Sequence, residues 1–236
     1  MPEAQYTIAL IGNPNVGKSV IFNNLIPGAR QHVGNWPGKT VEKKEGTFTH
    51  HGTQLKLVDL PGTYSLTAAA EDELVSRNFI IQEKPDLVVD VLDASNLERN
   101  LYLTTLLLEL DAKLLLVMNM TDIAEEKGYK INVEALSQNL GVPIITTVAT
   151  KGKGMVDLKD AILQVAQSSA KKSHFSYGKK IEDLLQYMSE ILKKDPKIAN
   201  SYPLRWLAIK VLEKDEQAIG IVKESPIQAQ IMEVIS

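Results

Sequence analysis

Eight residues near the amino end, Gly12-Asn13-Pro14-Asn15-Val16-Gly17-Lys18-Ser19, have the types and the G-x-x-x-x-G-K-S spacing that bind phosphate. The glycines let the backbone wrap closely enough for successive N–H groups to face phosphate oxygens. A helix following the loop adds its positive amino-terminal end. In this pattern Lys18 reaches the β/γ-phosphates and the Ser19 hydroxyl binds magnesium. The apolar run Tyr6-Thr7-Ile8-Ala9-Leu10-Ile11 precedes the loop and supplies the buried strand it requires. By composition alone such a pattern arises in about one chain in a hundred of this length. Other motifs must therefore decide.

Three do, each closing an apolar run. Asp59-Leu60-Pro61-Gly62 follows Leu55-Lys56-Leu57-Val58. A carboxylate there holds a magnesium-bound water, and the Gly62 N–H meets a γ-phosphate. Asn119-Met120-Thr121-Asp122 follows Leu114-Leu115-Leu116-Val117. Asp122 can accept both the ring N–H and the exocyclic amine of guanine, a contact adenine cannot make. Asn119 is expected to tie this loop back to the P-loop. Met120 replaces the usual lysine and can lie on the flat base. Val148-Ala149-Thr150 follows Pro143-Ile144-Ile145-Thr146-Thr147, with the Ala149 N–H expected at guanine O6. Four motifs in one order, each at the carboxyl end of a strand, predict a guanine-nucleotide site.

The elements that must position these loops are legible in the hydrophobic pattern. Short β-branched runs predict strands at 6–11, 44–50, 54–59, 86–92, 113–119 and 143–147, the second and third joined across His51-Gly52. Leucines from Leu97 to Leu110 recur at helical period, and Met155 to Val165 reads as the last helix of this domain. The expected fold is α/β, a Ras-like P-loop GTPase with a mixed, mostly parallel sheet and helices on both faces. The predicted domains are a G domain over 1–167, a linker over 168–180 and a small all-α domain over 181–236. Helical patterns in the last run from Ile181 to Lys193, Leu204 to Leu212, around Ala218-Ile219 and from Gln228 to Val234, with Trp206 as a core anchor.

Composition narrows the partners. A net charge of −3 disfavours a nucleic-acid surface, which shows a basic stripe. The absence of cysteine removes disulfides, thiolate metal sites and cysteine nucleophiles. No basic leader and no apolar stretch of about 20 residues is present, so the chain as given reads as soluble. Adjacent His50-His51 invites a metal reading. With no third ligand at a useful spacing, a solvated hairpin tip is the preferred reading.

The segment His32-Val33-Gly34-Asn35-Trp36-Pro37-Gly38-Lys39-Thr40-Val41-Glu42-Lys43-Lys44-Glu45-Gly46 goes beyond a generic GTPase. With Gly12 to Ser19, Asp59 to Ser65 and Leu92 to Leu101, it resembles the cytosolic amino-terminal region of the ferrous iron transport protein B (FeoB) family. The helical tail resembles that family's helical domain in size and position. The resemblance implies a GTPase domain on the cytoplasmic face of the cell membrane. Its expected partner is a membrane-embedded iron-permeation region of the same protein, with a homo-oligomer possible.

The resemblance also implies roles for residues. Thr40, beside Gly38, matches the switch I threonine that ligates magnesium when the γ-phosphate is present. Asn15 matches the P-loop asparagine of potassium-stimulated GTPases, with switch I carbonyls near Gly34 and Trp36 completing a potassium site. The expected catalytic set is Lys18, Thr40, Gly62 and Asn15. The expected cofactors are GTP/GDP, magnesium and potassium. Thr63 stands where Ras-like enzymes carry a water-orienting glutamine, so slow hydrolysis is expected. The tail is expected to tune GDP release or to act as a spacer. Two other readings share the core: a ribosome- or tRNA-associated GTPase, and a docking module whose hydrolysis is nearly idle.

Overall fold

Strands flanked by helices on both faces have no solvent side, so their sequences run apolar without alternation. That is the character of β1 (Tyr6–Gly12), β5 (Leu87–Asp93) and β6 (Leu114–Asn119), which are almost wholly buried. In a computed structural model of the chain, which describes residues 5–26, 28, 31–67, 70–169 and 176–235, they form the centre of a seven-stranded sheet. The other strands are β2 (Gln31–Asn35), β3 (Glu42–His50), β4 (Thr53–Asp59) and β7 (Ile144–Thr146), and the spatial order is β2-β3-β4-β1-β5-β6-β7. β2, β3 and β4 pair antiparallel, while β4-β1-β5-β6-β7 is parallel throughout. The chain leaves β1 toward one edge and returns to fill the other. The crevice at the carboxyl end of β1 is therefore the topological switch point, where open α/β sheets bind ligands.

Helices α1 (Lys18–Leu25), α2 (Glu71–Glu83), α3 (Leu97–Glu109), α4 (Thr121–Glu126) and α5 (Val133–Leu140) connect the strands, and α6 (Met155–Gln167) follows the last of them. One core joins Ile8, Leu10, Phe22, Leu57, Val89 and Val117 of the sheet and α1 to Leu158 and Ile162 of α6. The hairpin between β3 and β4 turns at His51 and Gly52 as expected, with His50 paired to Thr53. β2 was not foreseen. Gln31-His32-Val33-Gly34-Asn35 is half-buried at its first residue and exposed at the other four, so no hydrophobic alternation marks it as a strand.

The chain divides into two compact units, Met1–Leu108 with Ala112–Ser173, and Glu109–Asp111 with His174–Ser236. The second unit contains α7 (Lys179–Leu192), α8 (Pro196–Ser201), α9 (Leu204–Leu212), α10 (Glu216–Lys223) and α11 (Gln228–Ile235). Here α9 packs on α7 and α10, and Leu185, Met188, Trp206, Leu207, Val222 and Ile231 are buried. Lys210 is buried among carboxylates: desolvation pulls its pKa down, but Glu213 and Glu109 outweigh this and raise it. The short helix α8 carries no amphipathic signal; it starts from an Asp195 cap on the Lys197 N–H with Pro196 in its first turn. Of the expected linker, 170–175 lie outside the described residues, and Lys179 and Lys180 already belong to α7.

Candidate functional site

The P-loop is a tight wrap made by backbone geometry. Asn15 and Gly17 both take left-handed conformations, with φ of 68° and 87°. A side chain on Gly17 would strike the Asn119 amide, and one on Gly12 would strike the Val91 carbonyl. α1 starts at Lys18 with no side-chain cap, so its first turn has no cap donor-acceptor pair and faces the loop with its positive end. The cavity there is lined by Asn13, Pro14, Asn15, Gly17, Lys18, Ser19, Gly62 and Met120. The Asn13 amide is buried, and neither its nitrogen nor its oxygen has a partner. Val16 is buried, its side chain in the core beneath the loop.

The Asp59–Gly62 loop and Thr63 are fastened to the end of β1 and to the phosphate loop. The Leu60 N–H donates to the Leu10 carbonyl at 2.9 Å, and the Thr63 N–H to the Gly12 carbonyl at 3.2 Å. Pro61 takes a hydrogen bond from Ser76 at 3.4 Å, and Gly62 lies against Pro14. Asp59, at the end of β4, pairs with Lys18. Burial raises the Asp59 pKa, and the Lys18 charge opposes this without cancelling it. A buried carboxylate that one ammonium does not fully compensate suits a further cation, which is the test a magnesium site must meet here.

Asn119 is the hub of the base-side loops. Its Nδ2 donates to the Val16 carbonyl at 2.9 Å, while its Oδ1 accepts from the Ala149 N–H and the Thr147 hydroxyl, each at 3.0 Å. The Ala149 N–H, expected at guanine O6, donates here to Asn119. Val148 pairs with Lys153, and Thr150 is exposed in the 3-10 turn Ala149–Lys151. The Thr121 hydroxyl donates to the Thr147 carbonyl at 3.4 Å. Met120 has φ of 60° and lines the P-loop cavity. Asp122 accepts from Lys151 at 2.7 Å; that bond, and the Ile123 N–H, hold its carboxyl below the usual range. Thr147 and Lys151 escaped sequence reasoning. They flank the V-A-T triplet, but only the folded loop brings them onto Asn119 and Asp122.

The segment expected to form switch I stands apart from this cavity. Trp36 is buried against Phe79 of α2, edge to face at 5.5 Å. The Trp36 backbone N–H donates to the Val41 carbonyl, and the Trp36 carbonyl accepts from the Lys39 N–H, each at 2.9 Å. Gly34 is paired with Lys43 in the sheet. The carbonyl of Trp36, expected near a potassium ion, is therefore engaged in its own turn. The Thr40 hydroxyl donates to Glu71 at 3.2 Å, and Lys39 pairs with the same carboxylate at 3.3 Å. Neither Thr40 nor Gly38 lines the P-loop cavity. The left-handed φ at Asn15 also gives that asparagine a local reason, since Asn tolerates this conformation.

A phosphate loop at the sheet's switch point, joined through Thr63 and Asn119 to two further strand-end loops, defines a P-loop domain of the G-protein fold. The family profile "Ferrous iron transport protein B" matches residues 6–162, and the profile "FeoB cytosolic helical domain" matches 177–236. The chain belongs to the FeoB family. It is 49% identical over 230 residues to the Fe(2+) transporter FeoB of Methanocaldococcus jannaschii, covering 98% of this chain and 34% of that protein. It is 45% identical over 214 residues to the Fe(2+) transporter FeoB of Escherichia coli, covering 89% and 27%. The chain thus spans about a third or less of these relatives. Among solved structures it is similar to a mutant S. thermophilus NFeoB bound to GDP, with TM-score 0.88, 35% identity and coverage of 98% and 88%. The cytosolic domain of T. maritima FeoB in its GMPPNP form gives 0.82, 36%, and coverage of 98% and 86%. No helix among the described residues is long and apolar enough to cross a membrane.

Proposed function

We propose that this chain binds guanine nucleotides, hydrolyses GTP slowly, and regulates a membrane transporter of ferrous iron through the state of its switches. The observation that carries the reading is the Asn119 hub, which binds the P-loop through Val16 and the base-side loop through Ala149. Phosphate and base recognition are thereby held in one register. The GDP and GMPPNP forms of the similar domains support the nucleotide class.

In this reading the P-loop N–H groups and Lys18 hold the phosphates, the Gly62 N–H meets the γ-phosphate, and Asp122 selects guanine. Lys18 exchanges its Asp59 partner for phosphate oxygens. Ser19, Thr40 and, through water, Asp59 would hold magnesium, which supplies charge neutralisation at the phosphates when bound. Thr40 must leave Glu71 to do so, so its release is the proposed switch. Asn15 is the proposed potassium ligand, and Trp36 must give up its turn to join it. Thr63 cannot replace a water-orienting glutamine: it is buried, and its hydroxyl donates to the Ser65 carbonyl at 2.7 Å. Hydrolysis therefore rests on backbone groups and bound cations and is slow.

Single-turnover phosphate release, with protein in excess, tests this. GTP should be consumed, faster in potassium than in sodium at matched ionic strength, and ATP should not. Asn15→Ala should erase the difference between the salts. Equal rates in the two salts would remove the potassium role, and no GTP turnover at all would favour a docking module with idle hydrolysis.

A further inference from the structure

No third metal ligand stands at a useful spacing from His50-His51 in the sequence, yet the fold supplies one. Asp160, on α6, accepts from His50 Nε2 at 2.6 Å and from His51 Nε2 at 3.1 Å through the same Oδ1. The three donor atoms all lie within 4.8 Å of one another. We propose that His50, His51 and Asp160 form a binding site for a divalent first-row transition metal ion.

Two features of the backbone make this arrangement. Neighbouring residues of a strand point to opposite faces, so adjacent histidines in β3 would not share a ligand. His51 has φ of 44° and Gly52 φ of 77°, the two consecutive left-handed residues of a tight two-residue hairpin. Leaving the strand there carries the second imidazole round to the first, and the rings lie 4.2 Å apart, tilted by 48°. The other feature is the packing of α6 on β3, with Leu158 and Ile162 buried in the common core and Asp160 on the solvent edge of the helix. The rigid core thus fixes the carboxylate against the hairpin.

The donor chemistry selects the ion. Two imidazoles and one carboxylate suit Fe(II), Co(II), Ni(II) or Zn(II), whereas magnesium and calcium take oxygen ligands. An ion about 2.0–2.2 Å from each donor would replace the hydrogen bonds that now join them. Among the described residues, the two imidazoles are Asp160's only ion-pair partners, so no lysine or arginine competes for its charge. His50 is mostly buried while His51 and Asp160 are open to solvent, so an ion can enter from the exposed side. Three protein ligands leave coordination positions for water, the mark of an exchangeable ion rather than a sealed structural one.

The alternative is a plain His–Asp–His clamp that ties the hairpin to α6. Titration of the tag-free chain with Co(II), followed by its visible absorption, separates the two, with GDP and magnesium saturating the phosphate site. Zn(II) affinity is then read by competition with a chromophoric chelator, and melting temperature with and without Zn(II). The parent should bind one Co(II) at this site and melt higher with Zn(II). His51→Asn, which tolerates the left-handed turn, and Asp160→Asn, an exposed change, should each lower affinity by about tenfold or more. Both should also lose the zinc-dependent rise in melting temperature while keeping the parent's far-ultraviolet spectrum and GDP binding. No Co(II) or Zn(II) binding by the parent, or affinities in both variants equal to the parent's, would overturn the proposal and leave the clamp.

Discussion

The amide of Asn119 donates to the carbonyl of Val16 at 2.9 Å across 103 residues of chain, and neither group is exposed. One side chain thereby couples the loop that follows β6 to the P-loop. Asn119→Ala leaves the Val16 carbonyl, the Ala149 N–H and the Thr147 hydroxyl without their partner. Each buried polar group so abandoned costs about 1–3 kcal/mol. Urea unfolding should show a loss of at least that order, and GDP affinity should fall as the two loops lose register. Parent-like GDP affinity in a folded variant would separate the hub from recognition.

Lys151 occupies the carboxylate that guanine is proposed to use. Both side chains are solvated, so the pair contributes little to stability. Lys151→Ala should therefore leave the melting temperature nearly unchanged and raise GDP affinity modestly, because guanine no longer competes for Asp122. A marked fall in affinity instead would mean that Lys151 itself holds the nucleotide.

Ser19→Ala should weaken GMPPNP more than GDP when magnesium is present, because a γ-phosphate adds a further oxygen to the metal's ligands. Titration of both nucleotides with and without magnesium checks this. Equal losses would show that Ser19 is not a metal ligand.

Asp90 is fully buried between β5 and α3, where Thr104 donates to it at 2.6 Å and its other oxygen has no partner. Burial pushes its carboxyl from 3.8 up to about 7, against the Thr104 hydrogen bond. The native chain therefore holds this proton more tightly than the unfolded chain does. The resulting stability is complete below about pH 4 and is lost as pH rises through 7. At about 1.4 kcal/mol per unit, the loss amounts to a few kcal/mol. Urea unfolding at pH 5 and pH 8 should show a smaller drop for Asp90→Asn than for the parent. Equal drops would show that Asp90 does not set the pH dependence.

The parallel strands and the turns that close them are legible because each pairs an apolar run with a turn of fixed chemistry. β2 is not, since four of its five residues are exposed and its pairing with β3 comes from the hairpin rather than from burial. The destination of the Ala149 N–H was hidden for a related reason. Spacing shows that a donor exists, but only the fold shows that Asn119 takes it first. Asp160 lies 110 residues beyond His50, so no local spacing could join it to the histidine pair. Thr40 and Trp36 are expected in switch I only through the resemblance, and their contacts with Glu71 and Phe79 depend on α2, which carries no motif.

Base selectivity through Asp122 is the central claim, and isothermal titration of the same chain with GDP and with ADP tests it most directly. GDP should bind with magnesium present and ADP should not, and Asp122→Ala should lose GDP affinity without losing its fold. Equal affinity of the parent chain for ADP and GDP would contradict the account.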